Sequence, residues 1–274
     1  MKKGISRWCF KESSYSEIFA LAKSLGFDGV EVTMDASGEL TPETDEAALL
    51  EIKKKADEAG IELYSMASSL YWSYSLSSPN EEMREKALYV AEKQIKAAAV
   101  LGCNSVLIVP GAVKVDFAAS LGVTGYEDAY KYALDSAKKI AKIAEEYKIN
   151  VGMENVWNRF LTSPLEMKYF IDEVNSEYIG SYFDAGNVFP NGLPEEWIKV
   201  LGNRIKKVHI KDFHIGTKNF CDLLTGSVDF DAVMKALSEI GYDDFITAEM
   251  GQYRVHNDVM LAHTSMAMDK IMGR

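Results

Sequence analysis

From one end of the chain to the other, short β-branched or apolar runs alternate with longer segments of helical period, and this alternation constrains the fold more than anything else in the sequence. The runs lie near Gly4 to Trp8, Gly29 to Val32, Glu62 to Met66, Ser105 to Val109, Asn150 to Glu154, Ile179 to Asp184, Lys207 to Ile210 and Phe245 to Glu249. Between them stand amphipathic segments such as Ser14 to Leu25, Glu81 to Leu101 and Asp229 to Ile240. Each is followed by a glycine (Gly26, Gly102, Gly241), the residue that most easily takes the left-handed backbone of a helix end. Strand starts recur at roughly 34 residues, a comfortable length for one βα unit. Such units repeated over 274 residues predict a (β/α)8 TIM barrel, with residues 1–274 forming one domain. A doubly wound open sheet is the alternative. It wants a glycine-rich phosphate turn after its first strand, where this chain has Arg7-Trp8-Cys9-Phe10-Lys11-Glu12.

Composition narrows the partners. A net charge of -11 argues against nucleic acid, whose binders draw most of their affinity from Lys and Arg on phosphates. No run approaches the roughly 18 apolar residues of a membrane span, and Met1-Lys2-Lys3 is followed by Arg7, Lys11 and Glu12 rather than an apolar leader. The chain therefore reads as cytoplasmic and free of the membrane. Its cysteines, Cys9, Cys103 and Cys221, are scattered without CxxC spacing, which suggests reduced thiols rather than disulfides or a structural zinc site. Neither a Gly-x-Ser-x-Gly elbow nor a Walker loop is present, which lowers the serine-hydrolase and nucleotide-hydrolase readings.

A barrel enzyme carries its reactive groups at the C-terminal ends of its strands, so the last residues of each run matter most. Four consecutive strands close on an ionisable side chain: Glu154 in Met153-Glu154-Asn155, Asp184 in Tyr182-Phe183-Asp184, His209 in Val208-His209-Ile210-Lys211-Asp212, and Glu249 in Thr247-Ala248-Glu249. Neighbouring strands lie about 4.8 Å apart, so the four can converge. Three carboxylates at that range repel one another unless a cation sits among them. Three oxygens and an imidazole nitrogen suit one divalent ion, Mn²⁺, Co²⁺ or Mg²⁺ with Zn²⁺ next, and leave positions for a substrate's neighbouring carbonyl and hydroxyl oxygens. Trp8, with Tyr71 and Trp72 from the long loop after strand three, is placed to wall such a site.

In the order Ala-Ala-Val-Leu-Gly-Cys-Asn-Ser-Val, Met153-Glu154-Asn155, Phe183-Asp184-Ala185-Gly186-Asn187, Val208-His209-Ile210-Lys211-Asp212 and Ala248-Glu249-Met250, the chain resembles the sugar isomerases and epimerases of the xylose-isomerase-like barrel superfamily. The resemblance implies that Glu154, Asp184, His209 and Glu249 are metal ligands and that the two glutamates form the acid/base pair. Ketose 3-epimerases of this group also carry a glutamate after the Asn-Arg-Phe turn, a histidine shortly past the strand-six aspartate and an arginine past the strand-seven histidine. Here those positions read Leu161, Asn187 and Ile215, which points away from free ketohexoses. Lys211, His214, Arg159 and Lys218 are candidates to hold an anionic group such as a sugar phosphate.

The resulting expectation is a metal-dependent isomerase or epimerase of a small sugar, sugar phosphate or related polyol ketone, with Trp8, Tyr71, Trp72, Asn187, Lys211 and His214 on the substrate. Inosose isomerases and dehydratases, and subunits that cleave carbon-linked glycosides, resemble the same metal barrel, and a non-catalytic metal- or sugar-binding subunit is the reading outside enzymes. The abasic-site endonucleases of the superfamily resemble three-metal enzymes needing more histidines than His209, His214, His256 and His263 supply. A homo-oligomer is left open.

Overall fold

A computed structural model describes residues 1–12 and 14–274. Its strands are β1 (Lys2–Ser6), β2 (Gly29–Met34), β3 (Glu62–Ser68), β4 (Ser105–Ile108), β5 (Asn150–Glu154), β6 (Ile179–Asp184), β7 (Ile205–Ile210), β8 (Asp212–His214), β9 (Asn219–Cys221) and β10 (Phe245–Ala248). The main helices are α1 (Tyr15–Ser24), α2 (Glu46–Ala59), α3 (Glu81–Leu101), α4 (Tyr126–Tyr147), α5 (Pro164–Val174), α6 (Ala185–Val188), α7 (Pro194–Leu201), α8 (Phe230–Glu239) and α9 (Asn257–Met272). Eight of the strands close into a parallel barrel in the order β1-β10-β7-β6-β5-β4-β3-β2, while β8 and β9 form a separate antiparallel hairpin. The fold is therefore the (β/α)8 barrel that the alternation predicts. No described helix is long and apolar enough to cross a membrane, and all three cysteines are free.

Local chemistry accounts for the helix limits. Asp45 and Asn80 accept backbone N–H groups at the starts of α2 and α3. At α5, Ser163 and Glu166 make a reciprocal capping box ahead of Pro164. Gly26, Gly102 and Gly241 all have positive φ, at 79°, 81° and 74°. Each helix turns an apolar stripe inward: Ile18 and Phe19, Val90 and Ile95, Ile140, Phe170, Val233 and Met260 are all buried against the barrel's outer wall.

Five strand ends are corrected: the second and third strands run on to Met34 and Ser68, the fourth stops at Ile108, and the other two bear on the site. The first strand ends at Ser6, because Arg7 to Cys9 turn into a short 3-10 segment whose start is capped by the Ser6 hydroxyl, accepting from Trp8 N. The last ends at Ala248, so Glu249 sits just beyond it, although its N–H still donates to Ile210 O at 3.2 Å.

Inside the barrel the large side chains need small neighbours. A Cβ at Gly152 would lie 2.7 Å from Tyr182 Cβ and 3.0 Å from Tyr182 N, so only glycine leaves room for that fully buried ring. Gly152→Val is expected to destabilise the fold by about 1–3 kcal/mol or more through overpacking. Urea unfolding measures it, and a loss below about 0.5 kcal/mol would mean that the barrel accommodates the change.

Candidate metal centre

Register sets the cluster. Asp184 on β6 pairs with His209 on β7, Glu154 on β5 pairs with Tyr182 on β6, and His209 faces Thr247 on β10, two residues before Glu249. Glu154, Asp184, His209 and Glu249 each offer a ligand atom, and these atoms all lie within 4.8 Å of one another. From His209 Nδ1 the carboxylate oxygens of Glu249, Glu154 and Asp184 stand at 2.8, 3.6 and 3.9 Å. Asp184 is held in place by its neighbours. Its Oδ1 accepts from Asn187 N at 2.8 Å at the start of α6, and the Asn155 side chain brackets its backbone, donating to Asp184 O and accepting from Asp184 N.

The donor set fits a divalent ion on a criterion independent of any motif. Glu154 Oε1, Asp184 Oδ2 and His209 Nδ1 are buried atoms with no partner in hydrogen-bonding geometry. Buried polar groups are otherwise nearly always hydrogen-bonded, so three such atoms within one small space, with only Lys211 as a neighbouring ammonium, form a cluster that could hold a metal ion. Their electrostatics are opposed. Burial pushes the Glu154 carboxyl up to about 7. Burial acts upward on Glu249 as well, but the Lys211 ammonium and His209 outweigh it and hold that carboxyl down at about 2. His209 is driven well above the usual imidazole range against the effect of its burial, by Glu31 first and then by Glu154 and Glu249.

Of the residues assigned to the substrate, Trp8, Trp72, Asn187 and Lys211 border a cavity of about 220 Å³ that opens over Glu154 and Glu249. Tyr71 does not. The 3-10 turn Ser69–Trp72 sends Trp72 to the mouth and buries Tyr71 under it, where the Tyr71 hydroxyl donates to Gln94 Oε1 at 2.8 Å. His214 is also elsewhere, on β8, its Nδ1 accepting from Thr217 N within the hairpin loop. The four candidate anion-holding groups are not brought together. Lys211 Nζ sits 3.0 Å from both Asp184 and Glu249, and Arg159 is paired with Asp116 at 2.8 Å. Arg159 and Lys218 border a separate cavity of about 470 Å³ that meets the first at Val156 and Trp157. Ile215 also borders this second cavity, whereas Leu161 is buried.

Sequence reasoning missed four contributors: the aromatic walls Phe117, Trp157 and Phe220, and one buried carboxylate. Phe117, from the loop after β4, packs edge-on against Trp72, and Phe220, on β9, stacks on Trp157 at 4.8 Å between ring centroids; both border the 220 Å³ cavity. The hairpin has only three-residue strands, too short for an alternation signal, and exposed aromatics in loops are common. The other omission is Glu31 on β2, wholly buried, whose Oε1 lies 3.0 Å from His209 Nε2. A glutamate inside an otherwise apolar strand was its available signal.

A closed parallel barrel with an acidic and imidazole cluster at the C-terminal ends of its strands, one that could hold a metal ion, defines the class, and the chain belongs to a family of such barrels: residues 19–269 match the model of the xylose isomerase-like TIM barrel. Among its relatives is the putative L-ribulose-5-phosphate 3-epimerase SgbU of Escherichia coli strain K12, 26% identical over 91% of this chain and 88% of that protein. The L-ribulose-5-phosphate 3-epimerase UlaE of Salmonella heidelberg is 24% identical over 93% of this chain and 87% of its own length. Among solved structures, a D-psicose 3-epimerase crystallised with D-fructose superposes over the whole of both chains with a TM-score of 0.82 at 17% identity, a likeness of fold. Sugar epimerases are isomerases, so these relatives and the sequence point to one class of chemistry.

Proposed function

We propose that this protein is a divalent-metal-dependent isomerase or epimerase of a sugar, sugar phosphate or related polyol ketone, with Glu154, Asp184, His209 and Glu249 as ligands and the two glutamates as its acid and base. The observation that carries this reading is the convergence of Glu154, Asp184, His209 and Glu249, whose ligand atoms all lie within 4.8 Å of one another beneath a cavity of sugar size, three of them (Glu154 Oε1, Asp184 Oδ2 and His209 Nδ1) without a hydrogen bond. A bound divalent ion supplies the positive charge that makes a carbonyl's neighbouring C–H acidic enough to lose its proton.

The rest of the work falls to the chain. Glu154 and Glu249 come from strand ends on either side of β6 and β7 in the barrel order, which is the arrangement needed to flank one carbon. One takes the proton and the other returns it from the opposite face, inverting the centre; return to the adjacent carbon interconverts aldose and ketose. Trp8, Trp72, Phe117, Trp157 and Phe220 supply flat apolar walls for the C–H faces of a sugar and exclude bulk water from the carbon. Asn187 and Lys211 are the polar groups at the rim that orient hydroxyls.

The test is a panel of free ketohexoses, ketose phosphates and inososes incubated with metal-loaded protein in deuterated water and followed by NMR. Exchange at a carbon next to a carbonyl, in at least one compound outside the free ketohexoses, is the expected result. Fast C3 exchange of fructose or tagatose alone would overturn the specificity read from Leu161, Asn187 and Ile215. Exchange in no compound would favour a metal- or sugar-binding subunit instead.

A further inference from the structure

Glu31 projects from β2, three strands from β7 in the closed order, and meets His209 through the barrel's interior. Both side chains are fully buried. Among the described residues, no Lys or Arg forms an ion pair with Glu31. Its Oε1 lies 3.0 Å from His209 Nε2, and its Oε2 accepts the Tyr182 hydroxyl, which also lies 3.1 Å from Ser65 Oγ. The Tyr182 ring stands edge-on to the imidazole, 4.6 Å between centroids at 66°. His209 is thus gripped on one nitrogen and one face, while its other nitrogen, Nδ1, points at Glu154, Asp184 and Glu249.

An imidazole that donates one N–H to a carboxylate keeps the lone pair on the other nitrogen, and the same hydrogen bond fixes the rotation of the ring. A carboxylate buried with no other cationic partner is costly, so its presence here is better accounted for by what it does to His209 than by packing. We infer that Glu31, seated by Tyr182, is a positioning residue that locks His209 in the Nε2-protonated tautomer and presents Nδ1 as the ligand nitrogen to a divalent ion. The inference rests on the reading of the cluster as a metal site and extends it across the barrel to a residue that touches neither ion nor substrate.

Two measurements that do not involve turnover test it. The first is the ¹⁵N NMR signature of histidine in the wild-type chain loaded with Zn²⁺, where His209 should show a metal-bound Nδ1 and a protonated, slowly exchanging Nε2. The second is competition for Zn²⁺ against a chromophoric chelator. Glu31→Gln keeps a carbonyl oxygen but removes the charge, and should weaken Zn²⁺ binding about 10- to 100-fold, the range typical of groups that orient a metal ligand. Tyr182→Phe should weaken it in the same direction by less. Metal on Nε2 overturns the proposal whatever the variants do, so a Glu31→Gln chain that fails to fold does not rescue it. Affinity within about twofold of wild type in a folded Glu31→Gln chain overturns it as well. Zn²⁺ held on Nδ1 and weakened by Glu31→Gln, with no sugar exchanging its protons, would uphold the inference while sinking the isomerase reading.

Discussion

Glu249→Gln is expected to lower the rate of proton exchange on the best substrate by at least about a hundredfold, the lower scale of acid/base contributions, without loss of the fold. The amide keeps an oxygen that can still face the metal position, so what disappears is the base. In the native chain the carboxyl is held ionised, as the proposed base must be: although burial opposes ionisation, Lys211 at 3.0 Å and His209 at 2.8 Å hold it down at about 2. The lysine then has only Asp184 to pair with, at 3.0 Å, which retains it at the rim and limits structural damage. Circular dichroism should be unchanged, and because the change also removes a ligand charge the rate is read at a divalent-ion concentration that saturates the variant. Turnover within about threefold of wild type would move the proton transfer to another group.

The second large effect concerns the ion itself. Asp184→Asn is the informative change because its Oδ1 can still accept from Asn187 N and preserve the start of α6, while the ligand charge is lost. His209→Ala removes the single nitrogen of the cluster. Either should weaken divalent-ion binding by more than about a hundredfold, beyond what loss of a supporting group costs. In the wild-type chain, an ion present at a thousand times its dissociation constant adds about 4 kcal/mol to stability by mass action, and at the same ion concentration this increment should fall to about 1.4 kcal/mol or less in both variants. Metal analysis of purified, reconstituted protein and thermal melts with and without the ion read both effects. A folded wild-type chain that takes up no divalent ion would sink the mechanism as a whole.

The legible part of this protein was its strand ends. Glu154, Asp184, His209 and Glu249 each stop an apolar run, and in a parallel barrel every such stop lies at the same rim, so one-dimensional order became three-dimensional proximity without knowledge of side-chain packing. Glu31 was illegible for the converse reason. It sits inside β2, and only closure of the sheet through β1 and β10 brings it within reach of His209 on β7. Tyr71 and Trp72 show a finer limit: in a 3-10 turn adjacent side chains point about 120° apart, so one reaches the mouth while its neighbour is buried. The basic residues mislead in another way. Lys211 and Arg159 look free in the sequence, but their charges are claimed by Asp184, Glu249 and Asp116, and such pairings depend on loop paths that no local pattern encodes.

The hairpin formed by β8 and β9 leaves the barrel immediately after Lys211 and returns Phe220 over the cavity, stacked on Trp157 and 5.5 Å from the Lys211 ammonium. Selection therefore has two separate handles on this molecule. Glu154, Asp184 and His209 stand on strands whose register is tied to the whole barrel, so they cannot shift singly; the hairpin is tied down mainly by Asp212, which accepts from Phe213, Gly226 and Val228 N–H groups and closes its base. A lineage can lengthen, shorten or rewrite the stretch between Asp212 and Gly226 and so alter which molecules are admitted, leaving the reaction beneath unchanged.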